Sequence, residues 1–193
     1  MKLLLLTRGP DHPATRYRVT PYLDGLRAAG IEPTPLRYPH GLTGGYRILK
    51  AARAHDAVFV QKKRLPAMLL RWLQRRGTPL LYDFDDAVLF QSSRHDTPES
   101  PARRRRFEAM VRACDGVISG SDYLRVLVAG LHPRVSVVPT SIDCARYPVR
   151  AHPGGGRVVL GWIGGRKSLV FLEALAPVLA RIGRDVPGPA LAL

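Results

Sequence analysis

Ala57-Val58-Phe59-Val60-Gln61-Lys62-Lys63 opens a stretch that runs through Leu65, Met68, Leu69, Trp72 and Leu73 to Gly77, then closes on Pro79-Leu80-Leu81-Tyr82-Asp83-Phe84-Asp85-Asp86. Each end carries a short continuous apolar run, which is how a strand buried on both faces reads. Between them, Leu65, Met68, Leu69, Trp72 and Leu73 recur at helical spacing on one face. Arg71, Arg75 and Arg76 fall on the other, and Gly77 supplies the stop. Strand, amphipathic helix and strand in this order predict a parallel βαβ unit.

The same rhythm extends outward. Leu3 to Leu6 reads as a first strand. The start Met1-Lys2-Leu3-Leu4-Leu5-Leu6 imitates a secretory leader, but its apolar run stops at Thr7-Arg8, short of the roughly 7–15 residues such a leader needs. A loop containing Arg16-Tyr17-Arg18 follows, then a helix with Tyr22, Leu23 and Leu26 that ends at Gly30, a strand over Ile31 to Leu36 broken by Pro33 and Pro35, and a helix over Tyr46 to Ala54. Downstream, Ser100-Pro101 reads as the N-cap and first position of a helix running to about Cys114. Gly116 to Ile118 is a strand, and Ser121 caps a helix whose inner face holds Leu124, Leu127, Val128 and Leu131. Val135 to Val138 is the last strand of this set.

From Ala145 to Gly156 the composition shifts to Pro148, Pro153 and the run Gly154 to Gly156, which reads as a linker. After it, Val158 to Ile163 is a strand, and Leu169, Leu172, Leu175, Leu179 and Ile182 form one helical stripe. Pro189 to Leu193 is the start of another strand. The expected organisation is a Rossmann-like domain over 1–144, a linker over 145–156, and an incomplete second α/β domain over 157–193. The fold class is α/β, a parallel sheet flanked by helices.

Composition narrows the function. The 193 residues include 30 Lys or Arg and 15 Asp or Glu, a net charge of +15, with 46% hydrophobic residues. That is too apolar for a disordered polyampholyte. The two cysteines, Cys114 and Cys144, exclude a disulfide scaffold and suit a reducing cytoplasm. No run approaches the roughly 20 apolar residues of a transmembrane helix. The surplus cations attract nucleic acid, anionic lipid or phosphorylated small molecules. Nucleic acid is the weakest of these, since no zinc-finger, RNP or helix-turn-helix pattern is present.

In an open parallel sheet, ligands bind at the carboxyl ends of the strands. Those ends carry Thr7-Arg8-Gly9, Gln61-Lys62-Lys63, Asp83-Phe84-Asp85-Asp86, Ser119-Gly120-Ser121 and Pro139-Thr140-Ser141-Ile142-Asp143. Asp83, Asp85 and Asp86 put three mutually repelling carboxylates in four residues, so one takes up a raised pKa or they meet a cation. Three readings stand: an Asp-x-Asp phosphatase of the HAD type with an aspartyl nucleophile, a metal-dependent transferase using the same motif, and a solvated acidic loop. Against the first, no later Gly-Asp-x-x-x-Asp metal motif follows. Arg16 and Arg18 straddle Tyr17 and suit either a phosphate or sugar clamp or a structural ion pair. The run Arg103-Arg104-Arg105-Arg106 spans a helical turn and suits a solvated face or contact with anionic lipid. Gly164-Gly165-Arg166-Lys167 closes a strand and opens a helix, the recipe for a diphosphate site.

Taken together these segments resemble GT-B glycosyltransferases of family 4, the "glycosyl transferases group 1" type. Val137-Val138-Pro139-Thr140-Ser141-Ile142-Asp143 with Tyr147-Pro148 is similar to that family's "viPNGvD…F.P" segment, and Gly161-Trp162-Ile163-Gly164 resembles the opening of its second domain. Arg16-Tyr17-Arg18, Tyr82 to Asp86 and Ser119-Gly120-Ser121 match a bacterial subgroup. The resemblance implies two Rossmann-like domains, an acceptor on the first and a nucleotide-sugar donor on the second, with no metal or resident cofactor. Carried over, Gly164, Gly165, Arg166 and Lys167 meet the donor diphosphate, and Arg8, Arg16, Arg18, Gln61, Lys62, Ser119 and Ser121 line the acceptor side. Asp85, with Asp83 and Asp86, takes the polar catalytic position, where many members carry a His. The expected activity is glycosyl transfer to a cell-envelope, polysaccharide or lipid-linked acceptor, in the cytoplasm or at the inner membrane face. The family's Glu-x7-Glu donor segment is expected beyond residue 193, so this chain alone is expected to be inactive without a missing second domain or partner chain. A non-catalytic module for anionic surfaces is the further alternative.

Overall fold

A computed structural model describes residues 1–39, 41, 43–91, 99–149, 151, 159–165, 168–186 and 190–192. The chain divides into two units, Met1–Ile142 and Asp143–Leu193. In the first unit the strands are β1 (Lys2–Thr7), β2 (Glu32–Arg37), β3 (Ala57–Gln61), β4 (Leu80–Phe84), β5 (Gly116–Ser119) and β6 (Val135–Val137). The helices are α1 (Pro13–Arg18), α2 (Leu23–Ala28), α3 (Gly44–Arg53), α4 (Ala67–Arg76), α5 (Pro101–Ala113) and α6 (Asp122–Val126). The six strands form one parallel sheet in the order β2-β1-β3-β4-β5-β6, a Rossmann-like α/β fold.

The two faces of the sheet are filled unequally. Leu4, Leu6, Val58, Val60, Leu80, Tyr82 and Phe84 meet α3, α4, α5 and α6 in the main core. Alternate residues Leu3, Leu5 and Ala57 point to the opposite face and meet Val19, with Leu23 and Leu26 beside them. The period of two along each strand dictates this split. Phe107 of α5 packs edge-on to Phe84, with ring centres 5.2 Å apart, and Tyr82 stacks on Phe84 at 5.5 Å. The connection from β1 to β2 uses α1 and α2, while every later connection uses the other face. The strand order therefore reverses between the neighbours β1 and β3.

The local signals behave as their chemistry requires. Ser100 Oγ accepts from Arg103 N at 3.4 Å, and Ser121 Oγ accepts from Leu124 N at 3.3 Å. Gly77 ends α4 in the left-handed region at φ 68°. Three expectations need correction. Arg16, Tyr17 and Arg18 lie in a helix, α1, not in a loop. Its sequence has no apolar stripe; His12 caps it by accepting from Ala14 N, and Pro13 pre-sets its first turn. Met68 is 80% exposed, and Leu70 takes the buried place with Leu69 and Leu73. The inward stripe runs Leu65, Leu69, Leu73, and Met68 sits one turn-step off it.

The second unit, by itself, holds β7 (Val159–Gly161) and β8 (Ala190–Ala192) in parallel, with α7 (Leu169–Ala174) and α8 (Ala176–Asp185) between. Here the single expected helix breaks at Leu175, because Pro177 sits in the first turn of α8 and lacks the N–H that would continue α7.

Cys114 is buried and Cys144 is exposed. Burial pushes the Cys114 thiol up to about 12, so it holds almost no thiolate near neutrality. Titration of the folded protein with a chromogenic disulfide at pH 8 should therefore modify one cysteine promptly and the second only in denaturant. Equal rates at both would contradict the burial of Cys114.

Candidate functional site

The strand register brings the carboxyl ends of the central strands level: Leu6 is opposite Val60, Gln61 opposite Asp83, and Phe84 opposite Ser119. Ligands of open α/β sheets bind where the strand order reverses, which here is the gap beyond β1 and β3.

Three layers of polar side chains fill this edge. The deepest is a buried ion pair: Arg18 and Asp83 side chains are 3% and 2% exposed. Arg18 Nε donates to Asp83 Oδ2 at 3.1 Å, and Arg18 Nη2 donates to Asp83 Oδ1. Arg18 Nη1 also donates to Val138 O at 2.8 Å and Thr140 Oγ1 at 3.2 Å. One guanidinium thus ties α1 to β4 and to the segment leaving β6. Burial holds the Asp83 carboxyl above the usual carboxylate range, against the opposing pull of Arg18 and Lys62. Beside it, Thr15 Oγ1 donates to Gln61 Oε1 at 2.9 Å, and Gln61 Nε2 donates to Ala14 O at 3.0 Å. Gln61 is fully buried, so this reciprocal pair satisfies an amide that no water reaches.

The middle layer is Lys62. It has φ 57°, the one positive value at a non-glycine position among the described residues. Such a backbone costs about 1–2 kcal/mol and persists only where its surroundings impose it. Lys62 N donates to Asp83 O at 2.7 Å, and Lys63 N donates to Gln61 O at 2.6 Å, which imposes the turn. The result aims Lys62 Nζ at two carboxylates, 2.8 Å from Asp86 Oδ2 and 2.5 Å from Asp85 Oδ1. Asp85 Oδ1 is buried against this ammonium, which is its ion-pair partner. Gly120 makes this packing feasible: Gly120 N donates to Phe84 O at 2.9 Å, and a Cβ there would lie 2.8 Å from Asp85 Cα.

The outer layer holds His12, Lys63 and Arg64. Burial lowers the His12 imidazole below its usual range, and Arg8 and Lys62 add to this. The sequence marks Lys63 only as part of the polar end of β3, and nothing local distinguishes His12 or Arg64 from ordinary loop residues.

The remaining candidates separate. Ser119 is buried, with Oγ donating to Ser136 O at 3.4 Å, and Ser121 serves as the α6 cap. Arg16 is exposed and lies 5.8 Å from the centre of the Tyr17 ring. Gly164 and Gly165 follow β7 in the second unit and are exposed; Arg166 and Lys167 lie outside the described residues. Among the described residues, no group of three or more His, Cys, Asp or Glu is arranged to hold a metal, and no helix is long and apolar enough to cross a membrane. On the thinly covered face, a cavity of about 330 Å³ lies between Leu5, Val19, Phe59 and Ile118, with Arg18 and Asp83 at its end.

The chain is thus a Rossmann-like α/β protein with a charged carboxyl edge. It shares this fold with Anabaena HepE, solved in complex with UDP and glucose, at a TM-score of 0.54 and 14% identity over 98% of this chain and 68% of HepE. An α-glucosyltransferase solved with UDP and a 13-mer DNA aligns over 75% of this chain and 43% of its own, with a TM-score of 0.45 and 14% identity. An ABC sugar transporter subunit from Rhodobacter sphaeroides 2.4.1 aligns over 98% of this chain at a TM-score of 0.43 and 14% identity. The chain spans 54% of that subunit's length. Comparison with protein-family profiles and with curated protein sequences gave no match.

Proposed function

We propose that the chain serves a nucleotide-sugar-dependent glycosyl transfer of the GT-B, family 4 type, with its first unit on the acceptor side. The observation that carries this reading is the Lys62 clamp on Asp85 and Asp86 at the carboxyl ends of β3 and β4, next to the strand-order reversal. Asp85, a largely buried carboxylate held in place by Lys62, is the side chain this reading assigns to accept a proton from an acceptor hydroxyl. The fold shared with HepE, which was solved with UDP and glucose, supports a nucleotide-sugar donor. Gly164, Gly165, Arg166 and Lys167 would meet the donor diphosphate, so no resident cofactor or metal is needed for the leaving group. The acceptor is a glycan or lipid-linked intermediate of the cell envelope, met in the cytoplasm or at the inner membrane face.

The test is replacement at the native locus. Extracts of cells lacking the gene should fail to transfer radiolabel from one of UDP-, GDP- or ADP-sugars into an envelope glycan or lipid. Restoring the wild-type sequence should restore transfer. Unchanged labelling from every donor, with unchanged envelope sugar composition, would overturn the proposal.

A further inference from the structure

In the segments that follow β1, β3 and β4, the cations Arg8, Lys62, Lys63 and Arg64 outnumber the carboxylates Asp11, Asp85 and Asp86. Arg8 follows β1, and Lys63 and Arg64 follow β3. The nearby Asp85 and Asp86 are both engaged by Lys62. Among the described residues, Arg8, Lys63 and Arg64 make no ion pair.

Two of the cations around the gap beyond β1 and β3 are already oriented. Arg64 Nη1 donates to Val88 O at 2.8 Å, and Arg103 Nη1 donates to Phe90 O at 3.1 Å. The turn carrying those two carbonyls is closed by Val88 N donating to Asp86 O at 2.7 Å and Phe90 N donating to Ala87 O at 3.0 Å. One short turn therefore anchors two guanidiniums, one from the loop after β3 and one from the first turns of α5. Each spends one nitrogen on the anchor, and its remaining N–H groups have no acceptor among the described residues. Lys63 Nζ sits 5.6 Å from the centre of the Tyr38 ring, which holds its stem in place. Burial lowers the Lys63 ammonium below its usual range, and Arg8 and Arg64 add to this, as expected of cations crowded together without a counter-ion. The arginine run of α5 thus divides: Arg103 joins the anchored turn, Arg106 adds its field at Arg64, and Arg104 pairs with Glu108, one turn further along, at 3.8 Å.

We propose that the crevice beyond β1 and β3 binds a phosphate or diphosphate group through Arg8, Lys63, Arg64 and Arg103. Arg64, half-buried and anchored, and Arg103, anchored but exposed, give the planar donor geometry that phosphate oxygens match, with Arg8 exposed beside them, and an added dianion relieves the repulsion among the cations. The inference deepens the transferase reading by making the acceptor a phosphate-bearing one, and rests on that reading for the word acceptor alone.

Titration calorimetry of the 193-residue protein with inorganic pyrophosphate, at two salt concentrations, tests the site without any turnover. Pyrophosphate should bind, more weakly at high salt. Arg64→Met and the surface variant Arg8→Met should each weaken binding about 10-fold or more. Arg75→Met, on the solvent face of α4, should change it less than about 2-fold, roughly what loss of general surface charge does. Equal losses in all three variants, or none in Arg8→Met and Arg64→Met, overturn the site. Flotation with vesicles of phosphatidic acid in phosphatidylcholine separates the sources. A headgroup source gives flotation that pyrophosphate and Arg8→Met both abolish. A soluble phosphate source gives flotation that neither changes, while calorimetry still detects the loss. Pyrophosphate binding without sugar transfer in cells sinks the transferase reading alone, and sugar transfer without pyrophosphate binding sinks this inference alone.

Discussion

Replacing Arg18 by methionine is expected to destabilise the protein by about 3–5 kcal/mol, the range for leaving one member of a buried ion pair without its partner. Asp83 is 2% exposed and takes both side-chain hydrogen bonds from this one guanidinium. Methionine fills similar volume, so the loss is electrostatic rather than a cavity. The pH dependence separates the two. Without Arg18, the Asp83 carboxyl is pushed further above its unfolded value, and a group with a raised folded pKa contributes stability at low pH that is lost as pH rises. The deficit should thus be small near pH 4, where the unfolded carboxyl also begins to bind its proton, and complete by neutrality. Asp83→Asn added to Arg18→Met should recover much of the loss, since no charge then stays buried. Arg18→Lys should fall between, keeping the charge without the fork. Urea unfolding at pH 4 and pH 7 checks this; a deficit under about 1 kcal/mol at pH 7, or one independent of pH, would show that the pair does not hold α1 on the sheet.

Asp85→Asn should lower transfer by about 10²–10⁴-fold while lowering stability by only about 1–2 kcal/mol, on the reading that this carboxylate accepts the acceptor's proton. Asparagine preserves shape and removes the charge. Lys62 keeps Asp86 as a partner, which limits the structural cost. Asp86→Asn, at a side chain 71% exposed, should have a much smaller effect on transfer. The measurement is sugar transfer in extracts carrying each substitution at the native locus, beside thermal melts of the purified chains. A melt lowered by many degrees in Asp85→Asn would make the residue structural, and normal turnover would remove it from the site.

Much of this protein is written locally. The apolar runs at Leu3–Leu6, Ala57–Val60 and Leu80–Tyr82 became central strands, because a continuous apolar run can only be buried on both faces. Ser100, Ser121 and Gly77 cap helices because capping needs only residues within one turn. The sequence alone thus determined the parallel α/β sheet and the placing of polar residues at its carboxyl edge. It did not reveal α1 as a helix, since Pro13–Arg18 has no apolar face and is held by polar bonds to Gln61 and Asp83.

Roles within the edge were beyond any local reading. Asp83, Asp85 and Asp86 look alike in sequence. The pleat sends Asp83 to the face where Arg18, 65 residues earlier, is waiting. The left-handed turn at Lys62 gathers the other two carboxylates under one ammonium. Arg64 and Arg103 look like solvated surface until a single turn accepts a hydrogen bond from each. Pairing between distant segments depends on strand register and on the turn that follows the strand, and only the assembled sheet sets both.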